Sequence, residues 1–169
     1  MNKKKTVFIT QAAIIAAFYS GLTYFAAMLN VAYNGIQFRF SEALTILAAL
    51  TPAAIPGLTI GCFLGNIGSP LGIADTIFGT LATLIAAVLS YFTRKIKFKK
   101  LPLLSALFPV ITNAIIVGLE VAIITYEEFA FSVFLLSALQ VGIGELVVCY
   151  GLGIPLYKAI KKLRLDKKL

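Results

Sequence analysis

Four carboxylates of this sequence stand inside long apolar stretches: Glu42, Asp75, Glu120 and Glu145. A charged side chain at the centre of a bilayer costs about 2.5–3.5 kcal/mol on insertion scales, so each of the four needs a reason to be there. The amides Asn66, Asn113 and Gln140 and the guanidinium of Arg39 occur in the same stretches. Ionised carboxylates only accept hydrogen bonds, and they pair with cations. Gathered in one pocket, these groups suit a small ligand rich in hydrogen-bond donors. A guanine-like edge, with N–H beside NH2, matches one carboxylate, and an alkylammonium matches another.

Local structural readings compete for some of these residues. Asp75 is a candidate N-cap of the helix that follows it, and Ser41-Glu42 reads equally as a cap followed by a first-turn acid. Arg39 and Glu42, three apart, are able to pair with each other. Glu120 and Glu145 have no such local reading. The other three acids, Glu127, Glu128 and Asp166, fall in a turn and in the tail, where water solvates them.

Other chemistry is excluded by what the chain lacks. It contains no histidine, which removes the usual zinc sites and Ser-His-Asp catalysis. No G-x-x-x-x-G-K-[ST] phosphate loop is present. Cys62 and Cys149 are far apart in apolar segments and read as small core residues. Neither a cofactor nor a metal is expected, and the chain does not read as an enzyme.

The elements that must position the polar groups follow from hydropathy. Of the 169 residues 60% are hydrophobic and only 13% charged, about half the charge of a soluble domain, with mean hydropathy +0.95. Strict alternation is absent, so helices rather than a closed barrel must satisfy the backbone in lipid. Apolar runs cover 7–29, 38–67 (broken by Pro52 and Pro56), 76–92, 101–125 and 129–157. Between them lie a polar loop at 30–37, a Gly/Pro turn at 66–75, a basic loop at 94–100 and an acidic turn at 126–128, and a basic tail follows at 158–169. Lys3, Lys4 and Lys5 ahead of the first run resemble a signal peptide. The run is too long for one, and it reads as the first membrane helix.

Charge decides whether residues 38–67 cross the membrane once or twice. Two crossings put 14 of the 15 Lys and Arg on one side, with Arg39 alone opposite. The positive-inside rule selects that arrangement. The expectation is an all-α membrane protein: one domain over 1–169, a bundle of six transmembrane helices with both termini cytoplasmic. The second and third helices are expected to be short, about 14 to 16 residues each, and to shape a cavity. The formal charge of +8 is then topology and not an affinity for nucleic acid. Glu42, Asn66, Asp75, Glu120 and Gln140 fall in the outer half of this bundle. Glu145 lies near mid-membrane, and Asn113 sits about two turns below Glu120 on one helix face.

Small residues add packing signals. Gly57, Gly61 and Gly65 recur every four residues and read as a close internal helix contact rather than a dimer face. Ala12/Ala16 and Ala13/Ala17 form two further small-xxx-small pairs, suited to internal packing or to a partner.

Three stretches together resemble the QueT family, membrane substrate-binding (S) components of energy-coupling factor (ECF) transporters. They are Gln37-Phe38-Arg39-Phe40-Ser41-Glu42-Ala43-Leu44, then Pro56-Gly57-Leu58 with Gly61-Cys62 and Asn66, then Asp75-x-x-Phe78-Gly79-x-x-Ala82-Thr83. The resemblance spans nearly the whole chain. It implies binding of a queuosine precursor, a 7-deazaguanine base such as the aminomethyl form, from outside a prokaryotic cell membrane. It also implies a membrane coupling subunit and two cytoplasmic ATPases as partners, with Ala12/Ala16 or Ala13/Ala17 as the contact with the coupling subunit. The alternatives are an S component for another vitamin and an autonomous proton- or cation-coupled transporter with Glu145 as relay. An intramembrane enzyme is disfavoured by the absence of histidine and of paired acids at catalytic spacing.

Overall fold

The computed structural model describes residues 3–32, 36–125 and 130–165. Expectations for Tyr33, Asn34 and Gly35, for the turn with Glu127 and Glu128, and for Asp166 lie outside the described residues. The described chain forms six helices: α1 (Lys3–Met28), α2 (Phe40–Ala49), α3 (Ala54–Asn66), α4 (Ile73–Phe92), α5 (Leu103–Thr125) and α6 (Phe131–Lys162). Among the described residues there is no strand, only a single bridge between Phe98 and Leu101.

α1, α4, α5 and α6 are each long and apolar enough to cross a membrane. α2 and α3 are not, at 10 and 13 residues, so both are shorter than the sequence led one to expect. α2 is also a 3₁₀ helix rather than an α-helix. At about 2 Å rise per residue for α2 and 1.5 Å for α3, each spans about 20 Å against a hydrocarbon core of about 30 Å. The turn between them follows from Pro52, which ends α2's pattern. There Thr51 donates a 3.3 Å hydrogen bond to Gln11, two turns inside α1.

The bundle is apolar without, and within it buried polar groups stand among apolar clusters. Phe18, Ile77, Ile115 and Leu139 are exposed on the four long helices, whereas Arg39, Glu42, Asp75 and Glu145 are buried. α1 and α3 pack through the glycine stripe: a Cβ on Gly57 would lie 2.8 Å from the Ala12 carbonyl oxygen, and one on Gly61 2.7 Å from Tyr19 Cβ. The stripe is thus an internal contact, as its spacing implied.

α4 and α5 are joined by a consequence of Pro109. Having no N–H, this proline cannot bond the carbonyl of Ser105 four residues earlier. That carbonyl accepts the Ser90 hydroxyl of α4 instead, at 2.7 Å, and the Ser105 hydroxyl donates back to the Ser90 carbonyl at 3.0 Å. α6 has its own irregularity, a π-helical turn at Cys149–Gly153, which packs against α2. Such turns open the helical ladder locally and are frequent at functional sites.

Candidate ligand-binding site

The interior polar groups form two connected clusters. In the first, Arg39 Nη2 donates to both carboxylate oxygens of Asp75, at 2.9 and 3.1 Å, with both side chains buried. Asn66 Nδ2 donates to the Asp75 carbonyl at 3.0 Å and approaches its carboxylate at 3.5 Å. Room for this cluster comes from Gly79, where a Cβ would lie 2.5 Å from Asn66 Nδ2. Two local readings are thereby corrected. Gly72, with φ +72°, occupies the N-cap of α4, and Asp75 in the first turn engages Arg39. Arg39 forms its ion pair with Asp75, 36 residues away, and not with its neighbour Glu42.

The second cluster surrounds Glu42. Tyr19 of α1 donates its hydroxyl to Glu42 Oε1, and Thr83 of α4 lies 3.5 Å from the same oxygen. Ser41 does not cap α2; it accepts a 2.9 Å hydrogen bond from Thr23. Asn113 of α5 lies beside both Glu42 and Glu145. Cys149 Sγ lies 3.7 Å from Glu145 Oε2 and 3.7 Å from the Glu42 carbonyl. Over this cluster runs the extended segment before α2. It crosses α6 so tightly that a Cβ on Gly144 would collide with the Gln37 carbonyl oxygen.

Several buried atoms here find no hydrogen-bond partner among the described residues: Glu42 Oε2, Asn113 Nδ2, Thr80 Oγ1 and both carboxylate oxygens of Glu120. Buried polar groups are nearly always paired, so four unsatisfied groups in one bundle call for an explanation. Glu120 lies within electrostatic reach of Asp75 and Arg39 and lines a groove of about 450 Å³ between α4 and α5, with Phe78, Leu81 and Leu119.

Seven of the eight sequence-chosen residues (Arg39, Glu42, Asn66, Asp75, Asn113, Glu120 and Glu145) therefore lie buried in one polar interior contributed by five helices and the segment before α2. Gln140 is half-buried and, among the described residues, makes no hydrogen bond to it. Tyr19 joins the site without being marked by the sequence pattern, and Thr83, which stands in one of the family-like stretches, joins it without having been chosen as a site residue. Tyr19 shares a face with Ala12, Ala16 and Thr23, turned towards the glycine stripe, and that is the available signal. Cys62 and Cys149 are buried free thiols, as their apolar segments implied; Cys62 packs in an apolar cluster with Ile15, Leu58 and Ala87, and both also touch polar groups. Cys62 Sγ accepts from Thr83 at 3.3 Å. No group of three or more His, Cys, Asp or Glu among the described residues is arranged to hold a metal ion.

Of the two alanine pairs on α1, Ala12 and Ala16 are buried against Gly57 and Gly61, whereas Ala13 and Ala17 are exposed. The residues of both polar clusters and the alanine pairs fall within 9–162, the stretch that matches the family described as QueT transporter.

The chain belongs to the QueT transporter family.

The family and its curated member are transporters and not enzymes. A relative in Lactococcus lactis subsp. cremoris (strain MG1363), named queuosine precursor transporter QueT, is 40% identical over 85 residues. That match covers half of this chain and half of the relative. No solved structure matches this QueT chain.

Proposed function

We propose that this chain is the substrate-binding S component of an ECF importer, and that it takes a 7-deazaguanine base from outside the cell. The observation that carries the reading is Glu42. Its Oε1 is held by Tyr19, while its buried Oε2 has no partner among the described residues. A carboxylate oxygen in that state is matched by the paired N–H and NH2 donors of a guanine-type edge. Asn113, which lies beside Glu42 and Glu145, carries an amide donor placed for the base carbonyl. Glu145 or Glu120 supplies a second carboxylate for the ammonium of an aminomethyl group.

In this reading all six helices thread a prokaryotic cell membrane with both termini cytoplasmic, as the distribution of lysine and arginine favours. The short pair α2–α3 lies against the site and leaves the outer half to the polar interior. Energy comes from a membrane coupling subunit and two cytoplasmic ATPases. The exposed Ala13 and Ala17 of α1 form the floor on which a helix of the coupling subunit packs. The test is titration of the purified chain with aminomethyl-deazaguanine, thiamine, riboflavin and biotin. Binding of another vitamin in place of the deazaguanine would overturn the substrate assignment.

A further inference from the structure

At the end of the bundle where α6 stops, the basic connection between α4 and α5 folds into a tight hairpin. Phe98 and Leu101 exchange two backbone hydrogen bonds of 2.9 Å around Lys99 and Lys100. Both turn residues have positive φ, +48° and +68°. That is the mirror-image turn normally built from Asn and Gly, because a Cβ disfavours the left-handed region. Of the two lysines held there, Lys100 lines a cleft shared with α6 and Lys99 lies over the Phe98 ring, 5.7 Å from its centroid. Strained backbone of this kind is concentrated at ligand clamps and functional sites.

The hairpin faces the last turns of α6. Lys97, Lys100 and Leu101 from the hairpin and Tyr157, Lys158 and Lys161 from α6 line a cleft of about 680 Å³. Lys158 and Lys161 are three apart and share a helix face. Among the described residues, Lys97, Lys100 and Lys158 have no carboxylate within ion-pair distance, and the acids of the bundle are spent in its interior. Arg94 takes no part, since it donates to the Tyr91 carbonyl at 2.6 Å and stacks over the Tyr91 ring.

We infer that this cleft binds the phosphate of an anionic phospholipid. Lys97, Lys100 and Lys158 around one concavity match a phosphodiester, and basic pockets between membrane helices are the usual seats of such headgroups. What favours a lipid over a free phosphate is the apolar rim. Ile96 and Phe98 alternate with Lys95, Lys97 and Lys99, and both are exposed, as are Leu163 and Leu165 beyond α6. Lys97 and Lys100, which line the cleft, thus meet the headgroup, while the exposed Ile96 and Phe98 beside them lie against acyl chains. A soluble anion has no use for those exposed side chains. The site is separate from the polar interior and does not depend on its proposed ligand.

The test uses purified, delipidated protein in detergent, titrated with phosphatidylglycerol, phosphatidylcholine and inorganic phosphate. Bound lipids are counted by native mass spectrometry, and thermal unfolding is the second readout. Phosphatidylglycerol is expected to be retained about tenfold more tightly than phosphatidylcholine and to raise the unfolding temperature, with no displacement by millimolar phosphate. The triple variant Lys97→Gln, Lys100→Gln, Lys158→Gln changes exposed side chains only, so it should fold while losing that preference. The pair Ile96→Ser and Phe98→Ser should weaken retention of either lipid. Equal retention of the two lipids, or a preference unchanged in the triple variant, overturns the inference. So does displacement by phosphate together with indifference to the Ile96 and Phe98 changes, which would make the cleft a free-anion site.

Discussion

Tyr19 and Glu42 are joined by a hydrogen bond across 23 residues, from the phenol of α1 to Oε1 of the first-turn acid of α2. α1 also carries the exposed Ala13 and Ala17, both within about two turns of Tyr19. One helix therefore bears both the small-residue face available to a partner and the side chain that orients the central carboxylate. Whatever moves α1 relative to α2 changes the hold on Glu42.

Tyr19→Phe keeps the ring and removes the donor. Isothermal titration with the aminomethyl-deazaguanine should show affinity about tenfold weaker, the scale of one hydrogen bond to a charged group. Unfolding temperature should move little by comparison. Wild-type affinity in this variant would remove Tyr19 from the site.

Glu120→Gln should separate binding from stability. Both Glu120 oxygens are buried without partners among the described residues, and an uncompensated buried charge is destabilising. The neutral amide is therefore expected to unfold at the same temperature as wild type or higher, while ligand affinity falls. Lower stability with unchanged affinity would mean that Glu120 is structural.

Much of the bundle is legible in the sequence, and particular residues show why the rest is not. Run lengths locate the four long helices, and Pro52 locates the break between the short ones. The 3₁₀ conformation of Phe40–Ala49 is not legible, because Phe-Ser-Glu-Ala-Leu-Thr-Ile-Leu-Ala-Ala has the composition of an ordinary α-helix. The cost of burying charge is enough to pick out Glu42, Asp75, Glu120 and Glu145 from hydropathy alone, and all four are buried in the fold. Partner choice is beyond the sequence. Arg39 has Glu42 three residues away and Asp75 thirty-six away, and only the approach of α4 to the start of α2 decides for Asp75. Tyr19 is invisible for a different reason: a tyrosine in an apolar helix reads as easily as a lipid-facing ring, as Tyr24 of the same helix, which is exposed, shows.

The Arg39–Asp75 pair should behave as a buried ion pair. Arg39→Met or Asp75→Asn alone is expected to cost about 3–5 kcal/mol of stability by leaving one charge uncompensated. The double variant should cost clearly less than the sum of the two. Thermal unfolding of the four proteins in detergent gives the cycle, and strict additivity would contradict the pairing.

Gly61→Ala tests whether the α1–α3 contact positions the site. The added Cβ would lie 2.7 Å from Tyr19 Cβ and 2.9 Å from the Ala16 carbonyl oxygen, so α1 must shift. A loss of about 1–3 kcal/mol in stability is expected, with weaker ligand binding through displacement of Tyr19. Full stability and full affinity together would show that the helices separate without consequence.

The most direct test of the central claim is calorimetric titration of wild type and Glu42→Gln with aminomethyl-deazaguanine. Glutamine keeps the size of the side chain and its acceptor towards Tyr19 but removes the charge. The expected result is saturable one-site binding to wild type and affinity at least about tenfold lower in Glu42→Gln. Equal binding to both proteins, or no binding to a folded wild type, would contradict the claim.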